Sequence, residues 1–157
     1  MSVGILLVTH SGIGNALLNT AYNTFGNLPL PITQLSVSRD PDPELMVTKA
    51  AYLVKKLDSG QGVLIATDMY GSTPSNIAQN LQNLGYPIRI VSGLNLPMLF
   101  RILNYPFLSL SELVEKALSG GKEGIVESIQ TNSQHHYAAQ IASPCPNNLQ
   151  EKCDHHD

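Results

Sequence analysis

The sequence has little charge and little cysteine, and each shortage narrows the choice of function. Only 13% of the 157 residues are charged, below the ~25% typical of globular proteins. The nine Lys and Arg are scattered and form no basic patch of the kind that binds nucleic acid. The only cysteines are Cys145 and Cys153, so we expect no disulfide framework in the body of the protein.

Long apolar runs are also missing. None reaches the ~18 residues typical of a transmembrane helix. The N-terminal apolar stretch follows no basic region and precedes no small-residue cleavage site. We therefore expect a cytoplasmic protein with no inserted membrane segment. Hydrophobic residues make up 43% of the chain, which is enough for the core of a single domain.

Short apolar segments alternate with amphipathic helical patterns over residues 1–128. Continuous apolar runs are typical of strands buried on both faces, and this alternation predicts βαβ units with right-handed crossovers. The sequence therefore predicts an α/β domain with an open, mostly parallel sheet and helices on both faces. Strands are predicted at 4–9, 32–37, 62–67, 88–93 and, weakly, 124–128. Helices are predicted at 15–25, 43–57, 75–84, 96–103 and 110–118, with Asp42 and Ser111 as N-caps and Gly120 and Gly121 closing the last.

The pattern ends near residue 129. Residues 129–157 are polar and show no sustained period, so they are predicted to form a flexible tail. This segment contains two cysteines and two terminal histidines in a spacing that fits no standard zinc pattern, and we predict no metal site there.

Polar residues follow the predicted strands where ligands of open parallel sheets bind, beyond the carboxyl ends. His10 follows the first strand, and Asp68 follows the third. In a strand order 2-1-3-4 these two side chains would face each other across the crevice. An aspartate that accepts from one ring nitrogen fixes the tautomer and leaves the other nitrogen free to attack.

A turn of small residues comes soon after Asp68. Gly71, Ser72 and Thr73 offer free backbone N–H groups and hydroxyls just before a helix N-terminus, which suits an anion. No G-x-x-x-x-G-K-[ST] or G-x-G-x-x-G motif is present, and no carboxylate cluster predicts a Mg²⁺ site. The pattern favours phosphoryl transfer onto histidine without a cofactor, with the phosphoryl group arriving from another protein and leaving on one.

Structural interpretations of the same residues stay open at this point. A histidine at a strand end is often simply exposed, and Asp68 could cap a turn. Thr73 and Pro74 could do no more than begin a helix. Arg39 and Arg89 could contact an acidic partner, but we interpret them as solvated surface charge.

Four segments of the chain carry a resemblance when they are taken together. They are VGILLVTHSGIGNALLNTA (3–21), GVLIATDMYGSTPSNIA (62–78), GLNLPML (93–99) and GGKEGIV (120–126). In this order they resemble the enzyme IIA domains of the mannose, fructose and sorbose family in the bacterial phosphotransferase system (PTS). The aromatic at Tyr70 is a departure, since tryptophan is common there in the family.

The resemblance implies specific roles. His10 would carry the phosphoryl group, Asp68 would support it, and Gly71, Ser72 and Thr73 would contact phosphate. The donor would be the histidine phosphocarrier protein and the acceptor a IIB protein or domain. The implied fold is a four-stranded parallel sheet of order 2-1-3-4. In the implied homodimer, a short fifth antiparallel edge strand, here 124–128, is exchanged between subunits.

Two other functions stay compatible with the sequence. One is a non-catalytic α/β sensor that binds an anionic metabolite in the same crevice. The other is a regulatory interaction protein that shares the phosphorylated histidine but has a different partner. No IIB segment is recognisable in the 157 residues, and the sequence does not specify a sugar.

Overall fold

The centre of the protein is a parallel sheet with the strand order β2-β1-β3-β4. A computed structural model describes residues 1–130. Every residue of β3, and every residue of β1 before His10, is buried, because these are the two inner strands and helices cover both of their faces. The predicted sheet and its 2-1-3-4 order are confirmed. The strands are β1 (Gly4–His10), β2 (Ile32–Val37), β3 (Val63–Thr67) and β4 (Ile88–Ser92).

The helices divide the core into two layers. They are α1 (Ile13–Phe25), α2 (Pro43–Leu57), α3 (Thr73–Asn83), α4 (Leu96–Leu103) and α5 (Leu110–Glu123). Since successive side chains of a strand point to opposite faces, Ile5 and Leu7 join the cluster with α1, α4 and α5, whereas Leu6 and Val8 join the cluster with α2 and α3. Burying each such side chain stabilises the fold by about 1.5–3 kcal/mol.

Helix starts follow local capping, with one correction to the prediction. Asp42 caps α2 as predicted, because its carboxylate accepts from the Glu44 N–H at 3.1 Å. Ser111 is wrong as the cap of α5. The helix begins at Leu110 because Ser109 Oγ accepts from the Glu112 N–H at 3.3 Å.

The end of α5 also differs from the prediction, since the helix continues through both glycines to Glu123. A Cβ added to Gly120 would lie 2.5 Å from the Cβ of Arg101, so only glycine permits this approach of α5 to α4. Contact between the helices outweighs a helix propensity loss of about 1 kcal/mol per glycine. Across the same contact Arg101 Nη2 lies 2.7 Å from Glu123 Oε2, and this hydrogen bond raises the pKa of Arg101.

The fifth strand predicted at 124–128 is not formed in the single chain. Residues 125–130 are neither helix nor strand. Exchange of this segment between subunits, and the homodimer itself, stay predictions. Residues 131–157, with Cys145, Cys153 and most of the predicted tail, lie outside the described residues. Over residues 1–130, no helix is both long and apolar enough to span a bilayer.

Candidate functional site

The ends of β1 and β3 bring His10 and Asp68 together although they are 58 positions apart in the chain. The two strands are parallel neighbours in register from Gly4↔Val63 to Val8↔Thr67, so the chain leaves both strands at the same edge of the sheet. Asp68 Oδ2 lies 2.7 Å from Nδ1 of His10 and accepts from its backbone N–H at 3.0 Å. The structure thus places the two side chains as the strand order led us to expect, while their chemical roles stay predictions.

Burial divides this pair into a fixed member and an accessible one. The side chain of Asp68 is 9% exposed and that of His10 is 46% exposed. Because a carboxylate can only accept here, Nδ1 is the protonated nitrogen of a neutral His10 ring, and Nε2 then carries the lone pair. Oδ1 of Asp68 is buried and has no hydrogen-bond partner within residues 1–130. All the hydrogen bonds that this carboxylate makes there therefore go to His10.

Thr9 holds the loop beneath His10, and the sequence interpretation missed this role. Its side chain is fully buried; Oγ1 donates to the His10 carbonyl at 2.9 Å and accepts from the Gly14 N–H at 2.8 Å. A Cβ at Gly14 would lie 2.9 Å from this oxygen, so the glycine makes room for the contact. The available signal was a hydroxyl at the end of an otherwise apolar strand, since buried polar groups are normally hydrogen-bonded.

Thr67 plays the equivalent part beneath Asp68. It is also fully buried, and its Oγ1 hydrogen-bonds Oγ of Ser92 on β4 at 2.7 Å. A buried threonine hydroxyl therefore precedes both His10 and Asp68. Each hydroxyl forms a hydrogen bond to a neighbouring element, which fixes the end of its strand.

The turn between Asp68 and α3 leaves the start of that helix open. Gly71 has φ +78°, a conformation that glycine adopts readily. Ser72 Oγ donates to the Met69 carbonyl at 2.5 Å and does not cap the helix. The backbone N–H groups of Thr73 and Ser75 have no hydrogen-bond partner in the described part of the chain. Uncapped amides at a helix N-terminus carry partial positive charge and favour an anion.

A cavity of about 400 Å³ lies at this edge of the sheet. Thr73 lines it together with His10, whereas Gly71 and Ser72 do not. Residues 1–130 contain no group of three or more His, Cys, Asp or Glu that could hold a metal ion. Among residues 1–130 the lining consists of His10, Ser11, Val37, Ser38, Arg39 and Thr73.

Comparison with known proteins identifies the family. The family described as "PTS system fructose IIA component" matches residues 4–118. The "PTS system mannose-specific EIIAB component" of Escherichia coli (strain K12) is 29% identical over 129 residues, covering 80% of this chain and 39% of that protein. The chain thus spans about two fifths of the length of this curated relative.

Solved structures share the fold. The mannose/sorbose specific IIA subunit of Enterococcus faecalis has a TM-score of 0.73 at 23% identity, covering 83% of this chain and 98% of that one. The phosphotransferase system component EIIA of Streptococcus agalactiae has a TM-score of 0.68 at 23% identity, covering 80% and 96%. At these identities the likeness is one of fold, and the match over residues 4–118 carries the assignment. The chain belongs to the mannose-type enzyme IIA family of the bacterial phosphotransferase system.

Proposed function

We propose that this protein is a phosphocarrier in which His10 accepts and donates a phosphoryl group. The observation that carries the proposal is the pair of hydrogen bonds from His10 to one oxygen of Asp68, at 2.7 and 3.0 Å. This contact leaves Nε2 as the free nucleophilic nitrogen on a half-exposed ring. Membership of the enzyme IIA family supports a transferase role.

In the proposed step no proton leaves the His10–Asp68 pair. The lone pair of His10 Nε2 attacks phosphorus in line, and the Nε2–P bond forms as the bond to the donor's leaving atom breaks. The electrons of the broken bond return to the donor, and the Nδ1 proton stays hydrogen-bonded to Asp68. The carboxylate stabilises the positive charge that develops on the ring. The step itself requires neither a nucleotide nor a metal ion.

The turn before α3 would stabilise the phosphoryl oxygens. Gly71 shapes this turn, and the free amide of Thr73, which lines the His10 cavity, lies at the positive end of the helix. Ser72 and Thr73 supply hydroxyls, of which that of Ser72 would have to leave the Met69 carbonyl to reach an anion. Fixed donors of this kind are effective because they are oriented before charge develops in the transition state.

The proposed partners follow from the family. The donor would be the histidine phosphocarrier protein, and the acceptor would be a IIB protein or domain. The phosphoryl group would then serve sugar uptake or regulation. Two copies of the chain would form the active homodimer.

Labelling with phosphoenolpyruvate and the two general upstream phosphotransferase proteins tests the proposal. We expect wild type to acquire acid-labile, base-stable phosphate and the His10→Ala variant to acquire none. The His135→Ala and His136→Ala variants are matched controls and should label like wild type. Label on His10→Ala would contradict the assignment of His10. An unlabelled wild type that still binds phosphate would point to the anion-sensor alternative.

A further inference from the structure

Arg39 reaches the His10 cavity because of the strand order. β2 lies next to β1 and pairs with it in register up to His10↔Val37. The chain leaving β2 therefore passes the mouth of the cavity at once, and both Ser38 and Arg39 line it. Among the lining residues that the structure describes, Arg39 is the only Lys or Arg. Its interpretation as plain surface charge did not take this neighbourhood into account.

The guanidinium of Arg39 is not engaged by a carboxylate within residues 1–130. Only the His10–Asp68 and Arg101–Glu123 pairs come within 4.0 Å there. Asp42, three residues further along, caps α2 with its carboxylate. Arg39 is exposed and therefore keeps its hydrogen-bond donors available to a group entering the cavity.

A phosphoryl group on His10 would need positive charge on the β2 side of the cavity to balance its own negative charge. It carries close to two negative charges at neutral pH. Within residues 1–130, the lining side chains other than His10 and Arg39 are Val37 and three hydroxyl residues. The α3 N-terminus reaches His10 from the β3 side of β1, and Arg39 reaches it from the β2 side. Arginine matches phosphate oxygens with a planar fork of donors, which lysine lacks.

We propose that Arg39 binds the phosphoryl group carried by His10 and so raises the phosphoryl affinity of this protein. The inference rests on the proposed function of His10. The loop after β2 and the turn before α3 would then bind the same phosphoryl group from opposite sides of β1. Arg39 would contact the phosphoryl oxygens in the phosphorylated protein, as well as in the transition state.

The equilibrium of phosphoryl exchange with the donor protein tests this assignment. We expect Arg39→Gln to lower the exchange equilibrium constant about tenfold, as the loss of a charged hydrogen bond would. Arg39→Lys should recover part of this loss, and the wild-type advantage should shrink at high salt because exposed charges are screened. The ³¹P resonance of phosphohistidine should also shift in Arg39→Gln. Arg89→Gln is the matched control, since Arg89 is exposed on β4 and lines a different cavity.

The possible outcomes separate the inference from the proposed function. If wild type labels on His10 and Arg39→Gln has an unchanged equilibrium constant and ³¹P resonance, the inference is wrong and the proposed function stands. If Arg39→Gln slows exchange without moving the equilibrium, Arg39 acts in docking the donor and the inference is again wrong. If wild type never labels on His10, the proposed function fails and the inference fails with it.

Discussion

Asp68 contacts His10 at two atoms with a single oxygen. Oδ2 accepts from the backbone N–H at 3.0 Å and from Nδ1 at 2.7 Å. The first bond fixes the end of β1 relative to β3, and the second fixes the tautomer of the ring. One buried carboxylate therefore sets both the position of the histidine and the nitrogen that is free to react.

Replacing Asp68 by asparagine separates geometry from charge. Asp68→Asn keeps the size of the side chain, but it removes the negative charge that would stabilise the charged ring. We expect phosphoryl transfer to slow by about a hundredfold or more, within the range found for groups that assist a catalytic base. Rapid-quench transfer from the phosphorylated donor protein measures the change.

The matched control for this change is Asp40→Asn. Asp40 is an exposed aspartate in the loop after β2, and its removal alters the net charge by the same amount. We expect it to leave the transfer rate within about twofold, because Asp40 is exposed and is not among the described residues that line the His10 cavity. A wild-type rate in Asp68→Asn would show that the carboxylate does not support the reaction.

Thr9→Val removes a buried hydroxyl that satisfies two backbone groups. The Gly14 N–H and the His10 carbonyl would each lose a partner, and an unsatisfied buried group costs about 1–3 kcal/mol. We expect a lower free energy of unfolding in urea and slower phosphoryl transfer, since the loop that carries His10 loosens. Thr9→Ser keeps the hydroxyl and should retain the transfer rate. If Thr9→Val transfers the phosphoryl group as fast as Thr9→Ser, the two hydrogen bonds of the hydroxyl do not position His10.

The parts of the site that could be predicted from the sequence are those marked by a pattern of neighbouring residues. β1 and β3 are continuous apolar runs, and His10 and Asp68 stand directly after them. The strand order that joins the two was implied by four motifs spread along the chain. The turn at Gly71 was recognisable because small residues lead into a helix that has a proline in its first turn.

The features that could not be predicted from the sequence depend on contacts between segments that are far apart in the chain. α5 runs through Gly120 because Arg101 of another helix lies against it, and no local pattern carries that information. Arg39 joins His10 only because β2 lies beside β1. In the sequence, Arg39 has no feature that distinguishes it from a solvated surface arginine. The predicted fifth strand at 124–128 is not formed within residues 1–130, and its exchange between subunits stays a prediction.

Gly71 should be replaceable only at the cost of backbone strain. Its φ is +78°, and no atom lies within 4 Å of the position a Cβ would occupy, so Gly71→Ala meets no steric obstacle. The left-handed conformation of alanine costs about 1–2 kcal/mol. We expect that loss in urea unfolding and slower transfer if the turn shifts. Gly71→Asn should lose less, because asparagine tolerates this conformation better. If alanine and asparagine are equally well tolerated, the turn does not depend on positive φ.

Gly120→Ala should favour the helical conformation of α5 but disturb its contact with α4. Alanine is the better helix former by about 1 kcal/mol, but its Cβ would lie 2.5 Å from Arg101 Cβ, and a backbone shift is needed to relieve the overlap. Overpacking of this kind costs about 1–3 kcal/mol, so we expect a net fall in the free energy of unfolding. Ser119→Ala, at the preceding position of α5, is the matched control and should change stability by less than about 0.5 kcal/mol. A gain in stability from Gly120→Ala would show that α4 and α5 can separate at little cost, and that the glycine is not required by their contact.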